Sequence, residues 1–151
     1  MKAPEAKRFA IIVSRFNEEV TSGLLKGATQ YLSEKKITQD PADIFFAPGA
    51  FELPLIAQRL ARTRKYDGVI ALGCVIKGDT AHFEFISLGA TLGIMQASLQ
   101  TETPISFGIL TTYNDEQAAK RSASDLHNKG REAAAASFET AELLRHISGV
   151  S

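Results

Sequence analysis

The chain has one cysteine, no tryptophan, three tyrosines and no formal net charge, and each shortage removes a class of explanation. Cys74, alone, cannot close an internal disulfide, and no paired Cys/His spacing offers a zinc site, so a cytoplasmic setting is expected. Basic and acidic side chains balance at 17 each. That leaves no chain-wide electrostatic footprint for nucleic acid or an anionic membrane, so any anion binding must be local. No long apolar run follows the charged start over 1–8, and neither a signal peptide nor a membrane-spanning helix is expected. The 151 residues suffice to bury a core without disulfides or metals. One domain spanning 1–151 is expected, with 1–7 as a flexible arm or a partner-contacting segment.

What is present is an alternation. Four short apolar runs rich in β-branched and aromatic residues, Phe9–Val13, Ile44–Ala47, Gly68–Ile76 and Ile105–Thr112, are separated by helical patterns. Between the first two, Val20, Leu24, Ala28 and Leu32 recur four apart over 17–36, with Asn17 as N-cap and Glu18 and Glu19 in the first turn. Pro48-Gly49 ends the second strand, and Phe51, Leu55, Leu60 and Ala61 mark a second helix that tolerates Pro54 only near its first turn. A third helix carries Phe85, Leu88, Leu92 and Met95. The tail from Asp115 to about Ile147 reads as helical, broken at Asn128-Lys129-Gly130. Continuous apolar strands alternating with helices predict a parallel sheet covered on both faces and reached by right-handed crossovers.

In such a sheet ligands bind beyond the carboxyl ends of the strands. The four loops there carry Arg15-Phe16-Asn17, the run Pro48–Pro54, the turn Lys77–His82 and the stretch Thr111–Asn114. The third is the most pointed. Gly78, Asp79 and Thr80 precede a helix start, where free N–H groups and the helix dipole suit a phosphate or another anion. His82 follows directly, and an imidazole beside an anion cradle can shuttle protons near neutral pH.

Taken together, Arg15-Phe16-Asn17, Pro48-Gly49-Ala50-Phe51-Glu52-Leu53-Pro54, Gly78-Asp79-Thr80-Ala81-His82-Phe83, Phe107-Gly108 with Thr111-Thr112, and Asn128-Lys129-Gly130 resemble the lumazine synthase family in order and spacing over nearly the whole chain. The resemblance implies an α/β three-layer α/β/α sandwich, a single flavodoxin-like domain with a four-stranded parallel sheet of order 2-1-3-4. It implies a transferase of riboflavin biosynthesis, a 6,7-dimethyl-8-ribityllumazine synthase that needs no cofactor and no metal. The substrates would be 5-amino-6-(D-ribitylamino)uracil and 3,4-dihydroxy-2-butanone 4-phosphate, with phosphate and water released. By the same resemblance His82 would be the general acid/base and Phe16 would stack on the pyrimidine. Ala50, Phe51 and Glu52 would position ring and ribityl chain, with Val75 and Ile76 lining the same pocket. Gly78, Asp79 and Thr80 would cradle the phosphate with Arg121. Phe107, Lys129 and Arg121 would come from a neighbouring subunit of a homo-oligomer built of pentamers, which in some family members close into an icosahedral capsid. The short stretch Ser122–His127, without the inserted residues of pentameric members, favours a shell. Neither nucleic acid nor membrane is an expected partner.

Plainer readings stand beside these. Lys77 reads as a solvated lysine, Cys74 as a buried, inert thiol, and His127 and His146 as surface or interface residues of the helical tail. Asp79 beside a phosphate is expected to point its carboxylate away. The small-residue run Ala133–Ser137 fits close helix packing around a symmetry axis or anywhere else. Other enzymes of phosphosugars or nucleotides, a flavin carrier and a catalytically dead shell protein are the rival readings. The first meets Phe16, Glu52 and Phe107, the second lacks tryptophan for an aromatic sandwich, and the third meets an intact His82 and Arg121.

Overall fold

The computed structural model describes residues 7–149. Apart from Lys7, the expected N-terminal arm over 1–7 lies outside the described residues. Four strands, β1 (Phe9–Ser14), β2 (Ile44–Ala47), β3 (Gly68–Ile76) and β4 (Ile105–Thr112), form one parallel sheet of order β2-β1-β3-β4. The helices are α1 (Glu18–Glu34), α2 (Leu53–Arg62), α3 (His82–Thr101), α4 (Asp115–Arg121) and α5 (Lys129–Ile147). Strand order decides their sides. The step from β1 to β2 runs one way across the sheet, and the steps from β2 to β3 and β3 to β4 run the other. Right-handed crossovers therefore put α1 on one face and α2 and α3 on the other.

Side-chain alternation along each strand supplies the two cores. Phe9, Ile11 and Val13 of β1 and Ile70, Leu72 and Cys74 of β3 pack with Leu24, Ala28 and Leu32 of α1 and Ala133, Ala134 and Ala141 of α5. Ala10 and Ile12, with Val69, Ala71 and Val75, face Leu53, Ala57 and Ala61 of α2 and Ala90, Ile94 and Ala97 of α3. The first core is built of large side chains, and burying each Leu or Ile contributes about 1.5–3 kcal/mol. The second is largely alanine, which brings α2 and α3 close to the sheet. Of the run Ala133–Ser137, Ala133, Ala134 and Ser137 are buried inside the chain rather than presented to an axis.

Several local expectations are corrected. Asn17 sits at the N-cap of α1, but in the left-handed region (φ 60°) and without capping the helix by its side chain. Phe51 falls in a 3₁₀ turn, Ala50–Glu52, ahead of α2, and Leu55 faces outward because Leu53, Ala57 and Ala61 form the buried face. Pro54 lies in the first turn of α2, where it displaces no intrahelical bond. The break in the tail is the segment 122–128, with Lys129 and Gly130 already in the first turn of α5. His127 therefore lies in that segment, not in a helix, with its N–H donating to Asp125 Oδ1 at 2.8 Å.

The amino-terminal edge of the sheet is held by charge. The buried Asp43 carboxylate accepts from Arg8 Nε (2.7 Å) and Nη2 (2.8 Å) and from the Tyr66 hydroxyl (2.8 Å). Those hydrogen bonds, led by Arg8, hold its carboxyl below the usual carboxylate range although burial works the other way. Asp67 accepts from Arg145 at 2.9 Å and from the Arg8 amide at 2.8 Å. No helix among the described residues is long and apolar enough to cross a membrane.

Candidate active site

Because the strand order reverses between β1 and β3, the segments that follow them lead to helices on opposite faces of the sheet and leave a crevice beyond the strand ends. Asn17 spans it. Asparagine tolerates the left-handed backbone better than most residues, and its amide Nδ2 donates to the Cys74 carbonyl of β3 at 2.9 Å. The turn throws the Phe16 ring outward, 69% exposed. The Arg15 guanidinium lies 5.6 Å from the Phe46 ring centroid beside it.

At the end of β2 the 3₁₀ turn buries Ala50 and exposes Phe51 and Glu52. A side-chain carbon on Gly73 of β3 would meet Leu53 and Ala50, and one on Gly89 of α3 would come within 3.1 Å of the Phe51 ring. Glycine at these positions lets the turn settle on β3 and α3. Glu52 occupies the N-cap of α2 without bonding to it, and its carboxylate lies back over Gly49. Val75 and Ile76 leave the sheet on opposite faces. Val75 joins the α2/α3 core while Ile76 packs toward α1 and α5, so only one of the two side chains faces the Phe51 side.

Gly78, Asp79 and Thr80 form the exposed turn after β3, and their amides make no hydrogen bond among the described residues. His82 is the first residue of α3, exposed, and its N–H donates to Thr80 Oγ1 at 3.3 Å. The Thr80 hydroxyl proton is thereby left to turn outward. Lys77 pairs with Glu84 at 3.8 Å and lies 5.7 Å from the Tyr113 ring centroid. It is half-exposed, between these neighbours on α3 and the β4–α4 loop. Cys74 is buried, and burial first, with Asp115 nearby, pushes its thiol up to about 11. His127 and His146 are exposed.

Phe107, Arg121 and Lys129 gather elsewhere. They line a cavity of about 530 Å³ between β4, α4 and α5, together with Tyr113, Gln117 and Glu132. Phe107 pairs with Ala71, whereas the carboxyl end of the ladder is Ile76 with Thr112. At roughly 3.3 Å per residue, Phe107 is set back about 16 Å from the end of the ladder, and the Gly78–Thr80 turn lies beyond that end. The Arg121 guanidinium donates to its own helix at the Gln117 carbonyl (3.2 Å), and Lys129 Nζ meets Glu132 at 2.8 Å.

Tyr113, Gln117 and Glu132 escaped the sequence reading. Tyr113 joins the two groups, its ring 6.2 Å from Phe83 of α3 and its side chain on the cavity. Gln117 had a signal, since Asn114-x-x-Gln117 has capping-box spacing. Asn114 accepts from the Gln117 amide, and the Gln117 side chain accepts from the Tyr113 amide, both at 2.8 Å.

Residues 6–145 match the family model described as 6,7-dimethyl-8-ribityllumazine synthase. The chain is 63% identical over 147 residues to the 6,7-dimethyl-8-ribityllumazine synthase 1 of Caulobacter vibrioides, covering 97% of this chain and 96% of that one. It is 48% identical over 145 residues to the 6,7-dimethyl-8-ribityllumazine synthase of Salinibacter ruber, covering 96% and 93% respectively. The enzyme of the same name from Nitratidesulfovibrio vulgaris is 46% identical over 140 residues, covering 93% of this chain and 90% of its own. With a parallel α/β sheet of order 2-1-3-4 and matches of this extent, the chain belongs to the 6,7-dimethyl-8-ribityllumazine synthase family.

Proposed function

We propose that the two groups of residues, one at the carboxyl edge of β1–β3 and one around the β4/α4/α5 cavity, meet across neighbouring copies of the chain to form the synthase active site. The activity is the family's. The chain is a 6,7-dimethyl-8-ribityllumazine synthase, a transferase that condenses 5-amino-6-(D-ribitylamino)uracil with 3,4-dihydroxy-2-butanone 4-phosphate in riboflavin biosynthesis, releasing phosphate and water. The observation that carries the shared site is the setback of Phe107 from its own chain's phosphate turn.

In this reading Phe16 stacks on the pyrimidine, with Ala50, Phe51, Glu52, Val75 and the backbone at Ile76 setting its orientation. The Gly78, Asp79 and Thr80 amides and the Thr80 hydroxyl hold the phosphate, joined by Arg121 of a neighbour, with Phe107 and Lys129 closing the site. The chemistry is a series of proton transfers. The 5-amino group attacks the ketone, the carbinolamine gives up water, and phosphate departs from an enamine-like intermediate. His82, exposed at the start of α3 beside the anion turn, can take and return those protons, a contribution of about 10²–10⁴ in rate. Holding both substrates in one cleft supplies up to roughly 7–11 kcal/mol more.

The assembly has its own support. Phe85, Leu88, Leu92, Met95 and Leu99 form one stripe of α3, each more than half exposed, and a stripe of that size wants a partner surface. A second copy in a pentamer is the reading, with a closed shell of pentamers favoured by the short segment 122–127. We read 1–151 as one domain acting in the cytoplasm on small molecules. The test mixes the protein with both substrates and follows lumazine by absorbance and fluorescence. His82→Ala should lose about 10²-fold in kcat, and Arg121→Ala should lose more in kcat/KM. Product no faster than the uncatalysed background in the wild type would overturn the reading in favour of a carrier or shell protein.

A further inference from the structure

Arg121 ends α4 and Lys129 begins α5, so the gap between these two cations is set by the intervening segment 122–128. Neither helix end sets it alone. At 7 residues α4 is too short to hold its own course, since isolated helices are marginal below about 12–15 residues. Among the described residues the Arg121 guanidinium is tied only along its own helix.

Asn128 is buried where α1, the segment 122–128 and α5 meet. Its Nδ2 donates to the carbonyls of Gly23 in α1 (3.0 Å), Ser122 (3.1 Å) and Ala123 (3.0 Å), and its Oδ1 accepts from the Arg131 amide of α5 (3.0 Å). Two N–H bonds shared among three carbonyls use the full donor capacity of the amide. The bond to Gly23 is the one hydrogen bond, among the described residues, that ties the segment to α1. The surroundings are shaped to it: a side-chain carbon on Gly27 would overlap the Asn128 amide, and one on Gly23 would overlap the Ser122 carbonyl.

We infer that Asn128 is a positioning residue that sets the spacing of Arg121 and Lys129 across the cavity, and through them the grip on the phosphate-bearing substrate. The inference rests on the synthase reading. It separates from a purely structural role through one substitution. Asn128→Asp keeps the size and the oxygen that caps α5, and a carboxylate suits a helix N-terminus. It loses both donors, however, and faces three carbonyl oxygens with a fourth acceptor. The cap survives while the 122–123 end of the segment is released.

The experiment is steady-state kinetics with each substrate varied in turn, on wild type, Asn128→Asp, Asn128→Ser, Arg121→Ala and the Asn128→Asp/Arg121→Ala pair. Asn128→Asp should raise KM for the butanone phosphate about tenfold, the scale of a weakened charge-assisted contact. KM for the ribitylaminouracil should move less than about twofold. Asn128→Ser, with one donor left, should fall between, and Asn128→Asp should add little once Arg121 is gone. Equal effects on the two KM values, full additivity with Arg121→Ala, or loss of native circular dichroism in both Asn128 variants would overturn the inference. Thermal shift by inorganic phosphate runs in parallel. A wild type stabilised by phosphate, with Asn128→Asp unresponsive, supports the positioning role even where no lumazine forms, an outcome that would sink the synthase reading alone.

Discussion

The two faces of the sheet are finished differently. On the α1/α5 face Leu24, Leu32, Ile70 and Leu72 are fully buried, and Gly130 brings α5 against the backbone of Leu24. Ion pairs close its outer border, Arg131 with Glu34 at 2.6 Å and Lys7 with Glu142. On the other face α3 buries Ala90, Ile94, Ala97 and Thr101, packs Phe83 and Ile86 partly against the core, and turns Phe85, Leu88, Leu92, Met95 and Leu99 outward. A helix apolar on all sides is a buried helix. The α1 side of the sheet is covered within the chain, whereas α3 leaves an apolar stripe that the proposed assembly would cover.

The sharpest way to break that contrast is to charge the open face. Leu88→Glu with Leu92→Glu should dissociate the assembly and cut lumazine formation by more than about 10²-fold, because the pairing of a large apolar interface is lost. Far-UV circular dichroism should keep its shape, with light scattering giving the mass of one chain. An unchanged oligomer would refute the reading of α3. Next in size, Gly130→Ala on the closed face should destabilise by about 1–3 kcal/mol through overpacking against α1. Urea unfolding of the Leu88→Glu/Leu92→Glu background, with and without Gly130→Ala, isolates that cost within one chain.

The pH dependence of the amino-terminal edge is a smaller effect. Asp43 has a folded pKa below its unfolded value, so its contribution is present above about pH 4 and is lost as pH falls through the lower folded value. Asp43→Asn should therefore flatten the acid limb of the stability curve below about pH 4, as followed by tryptophan-free probes such as circular dichroism. A limb identical to the wild type would remove Asp43 from that role. Least of all, Cys74 should be silent. With its thiol pushed up to about 11 and its side chain buried, it should resist alkylation at pH 8 in the native protein and react on unfolding. Labelling of the folded protein at the rate of a free thiol would show that the core under β3 opens.

Much of this was legible in residue order. The β2, β3 and β4 spans stand as read, and β1 runs one residue further, to Ser14. Val20, Leu24, Ala28 and Leu32 read correctly as the inward face of α1, since a large-residue stripe four apart has one partner surface in view. The same rule was blind on α3, where Phe85, Leu88, Leu92 and Met95 form as regular a stripe as any core but face outward. Periodicity reports that a stripe is apolar, not which body covers it. The left-handed turn at Asn17 was likewise out of reach. Asparagine before Glu18-Glu19 has the sequence of a side-chain cap, and only the nearness of the Cys74 carbonyl redirects its amide. Of the site, the loops carrying Phe16, Glu52, Gly78–Thr80 and His82 were readable because each directly follows a strand. Tyr113 and Gln117 were not singled out, because their roles come from a loop that folds back on α3 and α4.

By itself the sequence determined the elements, their order and the family motifs, because strand runs, helix faces and turn residues are local patterns that short-range sterics and solvation enforce. Only the tertiary structure decided which apolar stripe was core, that Val75 and Ile76 face opposite layers, how far Phe107 stands back from the Gly78–Thr80 turn of its own chain, and that Asn128 ties α1 to the segment between Arg121 and Lys129. Those facts rest on distances between residues far apart in the chain, and such distances exist only once the sheet has set its register and the helices have chosen their faces.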